Sequence, residues 1–208
     1  LIILPLSGKI NDARKPDLPK TGYRYNNKLK MNRNDIEIMA PVGSYESLMA
    51  AINAGAGSIY FGVEHLNMRA RSASNFSLDD MKEIALRSRE AGVKSYLTVN
   101  TEVFDEEFDT LENIVKAAKE AGVSAVIAAD MAVIQMCRTH GVEVHISTQV
   151  NITNYQAVRF YAQFADVMVL AREMNIDKVK EISRRIAEED LRGPSGNLVR
   201  LEMFVHGA

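Results

Sequence analysis

One repeating unit dominates the sequence from residue 31 onward. Short apolar segments rich in β-branched residues alternate with longer segments in which apolar residues recur every three or four positions. The first pattern predicts buried strands and the second predicts amphipathic helices. Seven strands are predicted, at residues 37–40, 58–61, 94–99, 124–128, 143–147, 167–170 and 198–205. Strands that alternate with helices in this way build a parallel sheet.

The junctions between these segments carry signals for helix ends and helix starts. Ser77, Asp130 and Asn175 stand where N-capping side chains are expected. Glycines follow four helical segments, at points where a helix can end in left-handed backbone geometry. They are Gly55, Gly92, Gly122 and Gly141.

A parallel sheet is either open or closed into a barrel. The units follow one another without a break in composition, and the first strand lacks the Gly-x-Gly-x-x-Gly turn that a dinucleotide-binding open sheet carries. Both features favour a barrel. A full eight-unit barrel takes about 250 residues, whereas this chain has 208 and stops after its seventh predicted strand. The predicted fold class is therefore α/β, an incomplete parallel (βα) TIM-type barrel truncated at its C-terminal end, as in a fragment of a longer protein.

Composition narrows the class of protein. No apolar run approaches the roughly 18 to 20 residues that a membrane span requires. Cys137 is the single cysteine, so no internal disulfide can form, and four histidines without a Cys-x-x-Cys pair supply no zinc site. These features predict a cytoplasmic protein with no membrane partner and no bound metal, in which Cys137 is a small core residue.

The first 30 residues differ in charge from the rest of the chain. Their seven basic and two acidic side chains give +5, while the whole chain carries −2, which leaves −7 for residues 31–208. We expect residues 1–30 to form a disordered basic extension, with Met31 as a natural start and the barrel domain over residues 31–208. The alternative is a basic arm that binds an acidic partner.

Candidate site residues follow from the architecture, because ligands of parallel βα proteins bind at the carboxyl ends of the strands. The polar residues expected there are Ser44, Asn67, Arg69, Arg71, Asn100, Thr101, Asp130, Ser147, Gln149, Asn151, Arg172, Glu173 and His206. Ser147, Gln149 and Asn151 alternate along a segment expected to be extended, which would place all three side chains on one side. That alternation of polar residues favours a ligand-binding site over a place in the hydrophobic core.

Several candidates have a structural alternative. Ser44 and Asp130 are also expected helix caps. Arg172 and Glu173 could form ion pairs with neighbouring loops, Arg69 and Arg71 could be solvated surface charges, and His206 could be buried with its hydrogen bonds satisfied. His145, within a predicted strand, is expected to be such a buried, satisfied histidine.

Common hydrolase motifs are missing from the sequence. It contains no Gly-x-Ser-x-Gly elbow, no His-Glu-x-x-His helix and no cysteine paired with an oriented histidine. From its residues alone, the chain is not indicated to be a serine, cysteine or metal hydrolase.

Seven segments, in the same order, resemble the collagenase-like peptidase family, the U-thirty-two group of prokaryotic proteins, over residues 35–208. They are MAPVGS at 39–44, NAGA at 53–56 with IYFG at 59–62, NMRA at 67–70 with NF at 75–76, VNT at 99–101, STQ at 147–149 with Asn151, LARE at 170–173, and FVHGA at 204–208. The resemblance implies a parallel βα barrel and two classes of activity. Some members are described as peptide- or collagen-degrading enzymes. Similar proteins hydroxylate transfer-RNA uridine or ribosomal-RNA cytidine, or act in quinone hydroxylation.

The resemblance also implies a cofactor outside this chain. The hydroxylation branch is associated with cysteines that bind an iron–sulfur cluster and begin just beyond the His-Gly-Ala motif. Cys137 alone is inadequate for such a cluster. We therefore expect no cofactor within this chain and a cluster in the full-length protein.

Three hypotheses remain at this stage. The first is an enzyme domain that hydroxylates a base or ring, transfer-RNA uridine being favoured, in which the polar rim positions a small polar substrate or a hydroxyl donor. The negative charge of residues 31–208 weighs against it, because RNA binding needs a basic surface, at least locally. The second is a peptidase, with Glu173 or His206 as general base and Arg172, or the turn at Gly43 and Ser44, next to the oxyanion. The third is a scaffold that pairs with a partner chain through the open edge left by the absent eighth unit.

Overall fold

Strands and helices alternate along the chain in the computed structural model, which describes residues 2–4, 36–63, 66–67 and 76–205. In these residues the elements are β1 (Ile2–Leu4), β2 (Glu37–Pro41), α1 (Tyr45–Asn53), β3 (Ser58–Gly62), α2 (Leu78–Glu90), β4 (Lys94–Val99), α3 (Phe108–Ala121), β5 (Ala125–Ala128), α4 (Met131–His140), β6 (Val144–Ile146), α5 (Tyr155–Tyr161), β7 (Val167–Val169), α6 (Ile176–Glu188) and β8 (Arg200–Met203). All seven predicted strands are present, with ends displaced by a few residues.

Strands β2 to β8 are parallel and lie side by side in chain order. This confirms the predicted TIM-type architecture of seven parallel strands. The barrel is closed by β1, which pairs antiparallel with both β2 and β8. Ile3 is in register with Glu37 on one side and with Glu202 on the other.

The strand β1 corrects two expectations. Disorder was expected throughout residues 1–30, yet Ile2–Leu4 form a strand, because the two edge strands offer unpaired backbone groups that a short apolar segment can satisfy. Residues 1 and 5–35, including Met31, lie outside the described residues. The open edge expected for a scaffold is occupied by β1, so a partner chain could not add there without displacing it.

The predicted helix signals are confirmed. Ser77 and Asp80 form a capping box at the start of α2, and Asp130 and Asn175 cap α4 and α6 through their side chains. Gly122 and Gly141 end α3 and α4 in left-handed geometry, with φ of 73° and 66°. The N-caps therefore lie at the carboxyl ends of the strands, and the glycines lie at the opposite end of the barrel, where each helix ends and the next strand begins.

Two apolar layers hold the barrel together. The larger lies between the strands and the helices and includes Cys137, fully buried as predicted. The smaller lies inside the barrel and contains Met39, Tyr96, Ala125 and Ile127. None of the helices in the described residues is long and apolar enough to cross a membrane.

Candidate functional site

The carboxyl ends of β4 and β6 bring Asn100 and Ser147 together. The register of β4 on β5 and of β5 on β6 places these two residues level across the mouth of the barrel. The Asn100 Nδ2 atom lies 3.4 Å from Ser147 Oγ, and Ser147 is 1% exposed. An amide and a hydroxyl therefore form the described floor of the mouth, as the sequence predicted for these two residues.

The predicted alternation after β6 is wrong. Residues Thr148–Val150 form a 3₁₀ turn, with Ser147 Oγ accepting a hydrogen bond from the Gln149 backbone at 3.3 Å. Asn151 ends the turn in left-handed geometry, at φ 59°. The segment is therefore not extended, and Gln149 and Asn151 are exposed while Ser147 is buried. A serine side chain can accept a hydrogen bond from the backbone N–H two residues later. This local hydrogen bond favours a turn over an extended strand end.

Asn67 sits against the end of β3. It is 2% exposed, and its Nδ2 donates to the Val63 carbonyl at 3.1 Å. A Cβ atom added to Gly62 would lie 2.5 Å from Asn67 Cγ, so only glycine allows this approach. Arg69 and Arg71 lie outside the described residues.

Ser44 and Asp130 are helix caps, as their structural alternatives predicted. Ser44 Oγ accepts from the Ser47 backbone at 3.2 Å, and Ser47 Oγ accepts from the backbone of Ser44 in return. Asp130 accepts from the backbone of Ala132 at 2.7 Å and of Val103 at 3.3 Å. Both side chains have hydrogen-bonding roles within the rim itself.

Arg172 and Glu173 follow β7 and are both exposed. The Arg172 guanidinium lies 4.5 Å from the centre of the Phe204 ring, an arrangement that holds a planar cation over an aromatic face. No ion pair joins Arg172 or Glu173 to another residue in the described part of the chain. His206 lies outside the described residues, so its place at the carboxyl ends of the strands stays a prediction.

A ring of four charged side chains, which the sequence analysis missed, lies below the mouth. Its members come from the starts of β2, β4 and β8 and from the residue just before β6: Glu37, Lys94, Arg200 and Glu143. Lys94 Nζ lies 2.6 Å from Glu37 Oε2, and Arg200 Nη2 lies 3.4 Å from Glu143 Oε1. The four charges alternate in sign around the N-terminal end of the barrel. Layers of four side chains from alternate strands are the usual filling of such barrels.

The next layer towards the mouth consists of Met39, Tyr96, His145 and Glu202. Tyr96 donates to Glu37 at 2.7 Å, and its ring centre lies 4.6 Å from that of His145. His145 Nδ1 lies 3.9 Å from Glu202 Oε2. His145 and Glu202 are 1% and 0% exposed, so the barrel interior contains two fully enclosed titratable groups.

These two groups are buried without satisfying their hydrogen bonds. His145 Nδ1 and both carboxyl oxygens of Glu202 have no partner among the described residues, which corrects the expectation that His145 is satisfied. Burial raises the pKa of Glu202 to about 8, because an apolar surrounding disfavours its charged form. Burial lowers the pKa of His145 for the same reason. At neutral pH Glu202 is therefore an uncharged acid and His145 an uncharged imidazole.

One pattern in the sequence could have revealed this layer. Polar residues occupy every second position in β4 and β8 and around β6, as in Glu143-x-His145-x-Ser147. In a strand covered on both faces, such a period of two indicates a polar interior face. The apolar residues identify the strands, and the polar alternation identifies their interior face.

No group of three or more His, Cys, Asp or Glu residues in the described ranges could hold a metal ion. What the site offers is hydrogen bonding at the mouth, a stacked Arg172 beside it, and a neutral carboxylic acid beneath it. The groups at the mouth can hydrogen-bond to a polar planar molecule, whereas the acid beneath them is enclosed.

The sequence profile of peptidase family U32 matches residues 43–208. The chain belongs to this family. A protein named collagenase from Porphyromonas gingivalis is 58% identical over 178 residues, which cover 86% of this chain and 43% of that protein. The tRNA hydroxylation protein P1 of Bacillus subtilis is 33% identical over 175 residues, covering 83% of this chain and 39% of that protein.

The U32 chain thus spans less than half the length of these two relatives. A solved structure of a U32 peptidase matches 82% of this chain and 69% of its own, with a TM-score of 0.60 and 14% identity. At that identity the likeness shows the fold alone, and it agrees with the barrel described above.

Proposed function

We propose that this U32 chain is the barrel domain of an enzyme that hydroxylates a uridine of transfer RNA. The observation that supports it best is the neutral Asn100–Ser147 pair in the mouth of the barrel, and the Arg172–Phe204 stack, which also follows a strand end, adds a second binding feature. An amide offers one donor and one acceptor edge, which is what the imide edge of uracil pairs with. A guanidinium over an aromatic ring is a surface on which a base can stack.

Two further points support the proposal. The B. subtilis tRNA hydroxylation protein is similar over most of this chain. Gln149 and Asn151, exposed on the turn after β6, are then available for the sugar or phosphate of the nucleotide.

The iron–sulfur cluster implied for the hydroxylation branch does not fit the residues of this chain. Such clusters take several cysteine thiolates. Cys137 is the single cysteine, lies fully buried on α4 under the outer face of the barrel, and has its thiol pKa raised to about 12 by burial. A cluster in the full-length protein would therefore need ligands from outside this chain.

The test is nucleoside analysis of transfer RNA from a strain that lacks the gene of the full-length protein. We expect hydroxylated uridine to disappear and to return with the wild-type gene. Asn100→Ala should lower it about 10- to 100-fold, the effect of losing one buried hydrogen bond to the substrate. Asn113→Ala, an exposed asparagine on α3, is the matched control and should restore it fully. Hydroxylated uridine that persists in the deletion strain would refute the proposal.

A second candidate function is peptide hydrolysis, favoured by the 58% identity to the P. gingivalis protein named collagenase. In that case Glu173, exposed and without an ion pair in the described residues, would act as general base. Cleavage of gelatin by the purified full-length protein, abolished by Glu173→Gln and kept by the exposed control Glu188→Gln, would favour hydrolysis over hydroxylation.

A further inference from the structure

We infer that Glu202, His145 and Glu143 form a proton-transfer chain between the centre of the barrel and solvent at its N-terminal end. Glu202 and His145 are enclosed, whereas 45% of the Glu143 side chain is exposed. The three residues thus lead from the sealed layer beneath the mouth to the opposite face. The use of this chain in catalysis rests on the proposed function, but its existence does not.

The first observation is the set of unsatisfied atoms. Glu202 Oε1 and Oε2 and His145 Nδ1 are buried without a hydrogen-bond partner in the described residues, and Nδ1 faces Oε2 at 3.9 Å. Buried polar atoms without hydrogen bonds lower the stability of a folded protein. We therefore expect these atoms to share a proton or to bind one small hydrogen-bonding molecule. A separation of 3.9 Å is closed by a small side-chain movement or bridged by one water molecule.

The second observation fixes the direction of the hydrogen bonds. His145 Nε2 lies 3.4 Å from Glu143 Oε1. The hydrogen bond from His145 lowers the pKa of Glu143, so Glu143 is a carboxylate and accepts. The imidazole is uncharged, so its proton is on Nε2 and Nδ1 carries a lone pair. That lone pair faces a carboxylic acid able to donate.

A proton can then move along the chain with every atom accounted for. The O–H bond of Glu202 breaks and an N–H bond forms at His145 Nδ1. The Nε2–H bond breaks and an O–H bond forms on Glu143. Glu202 becomes a carboxylate, Glu143 becomes neutral, His145 changes tautomer, and one proton has crossed from the interior to the solvent-exposed carboxyl group.

The neighbours of Glu202 and His145 set the energy of that transfer. Facing them are Glu37 from β2, Tyr96 from β4 and Arg200 from β8, and the positive charge of the N-terminal amine also lowers the pKa of Glu202. The β7 residues beside them, Val167 and Val169, are apolar. Glu37 favours the protonated acid, and Arg200 lowers the pKa of both groups, which assists release of a proton. Charges of the ring therefore influence how readily a proton moves along the proton-transfer chain.

The test begins with the wild-type full-length protein, so no variant has to fold. Infrared spectra are recorded from pH 5 to 10 in H₂O and D₂O. We expect the wild-type protein to show the infrared band of a protonated carboxyl group. This band should disappear with a midpoint at pH about 8, and it should be missing in Glu202→Gln.

Nitrogen-15 NMR tests the tautomer of His145. It should place the His145 proton on Nε2 below that midpoint and shift it towards Nδ1 above it. An ionised Glu202 at pH 6, or a His145 tautomer that does not change when Glu202 titrates, would overturn the inference.

The role of Glu143 is tested by the rate at which the Glu202 proton exchanges with D₂O. Glu143→Gln removes the acceptor at the solvent end and should slow exchange about tenfold or more, because exchange then requires opening of the barrel. The matched control is Glu112→Gln, since Glu112 lies 3.6 Å from His140 on the outer surface. Equal exchange rates in the two variants would contradict the relay. Loss of RNA hydroxylation alone, with these spectra unchanged, would bear only on the proposed function.

Discussion

The stability of this barrel should fall as pH rises through a range in which most proteins are stable, because of Glu202. Its carboxyl group has a pKa of about 8 in the folded chain against an ordinary value of 4.5. A carboxyl group whose pKa is raised by folding holds its proton more tightly in the folded state. Its contribution to stability is therefore fully present below pH 4.5 and is lost as pH rises towards 8.

The size of the effect follows from that interval. Each pH unit between the two pKa values costs about 1.4 kcal/mol, so the full loss is on the order of 4–5 kcal/mol. Glu202→Gln keeps the shape of the side chain and cannot ionise, so its free energy of unfolding lacks this decline. The variant should be close to the wild type at pH 5 and more stable by several kcal/mol at pH 8.

Urea denaturation followed by circular dichroism, at pH 5, 6, 7 and 8, measures this difference directly. Comparing the two proteins at each pH cancels the titration of groups they share. Glu112→Gln is the control, because the partly exposed Glu112 has its pKa lowered by its hydrogen bond with Lys116. Wild-type and Glu202→Gln curves that run parallel from pH 5 to 8 would refute the argument that burial keeps Glu202 protonated.

Two further predictions concern the packing beneath the mouth. Gly62→Ala places a Cβ atom 2.5 Å from Asn67 Cγ, so we expect a loss of about 1–3 kcal/mol in denaturant titrations, whereas Gly92→Ala, where the added Cβ meets open space, should lose only the cost of its positive φ. Tyr96→Phe removes the 2.7 Å hydrogen bond to Glu37 and should lower the unfolding free energy by about 1–3 kcal/mol; an unchanged value would show that this buried hydroxyl is dispensable.

Much of the fold could be predicted from the sequence because its signals are local. The glycine at 141 and the cap at Asp130 depend only on backbone geometry and on hydrogen bonds within a few residues. The order of the parallel strands follows from their alternation with helices. Asn100 and Ser147 could be placed at the same mouth by this reasoning alone, since each ends a parallel strand.

The tertiary structure decided what depends on distant residues. The turn after Ser147 exposed Gln149 and Asn151, although their spacing alone fits an extended strand end equally well. Ile2–Leu4 form a strand only because β2 and β8, which are far apart in the chain, both present an edge with which they can pair. His145 and Glu202 meet inside the barrel only when the sheet closes. Their shifted pKa values arise from burial and from neighbouring charges in the folded barrel, which neither residue carries by itself.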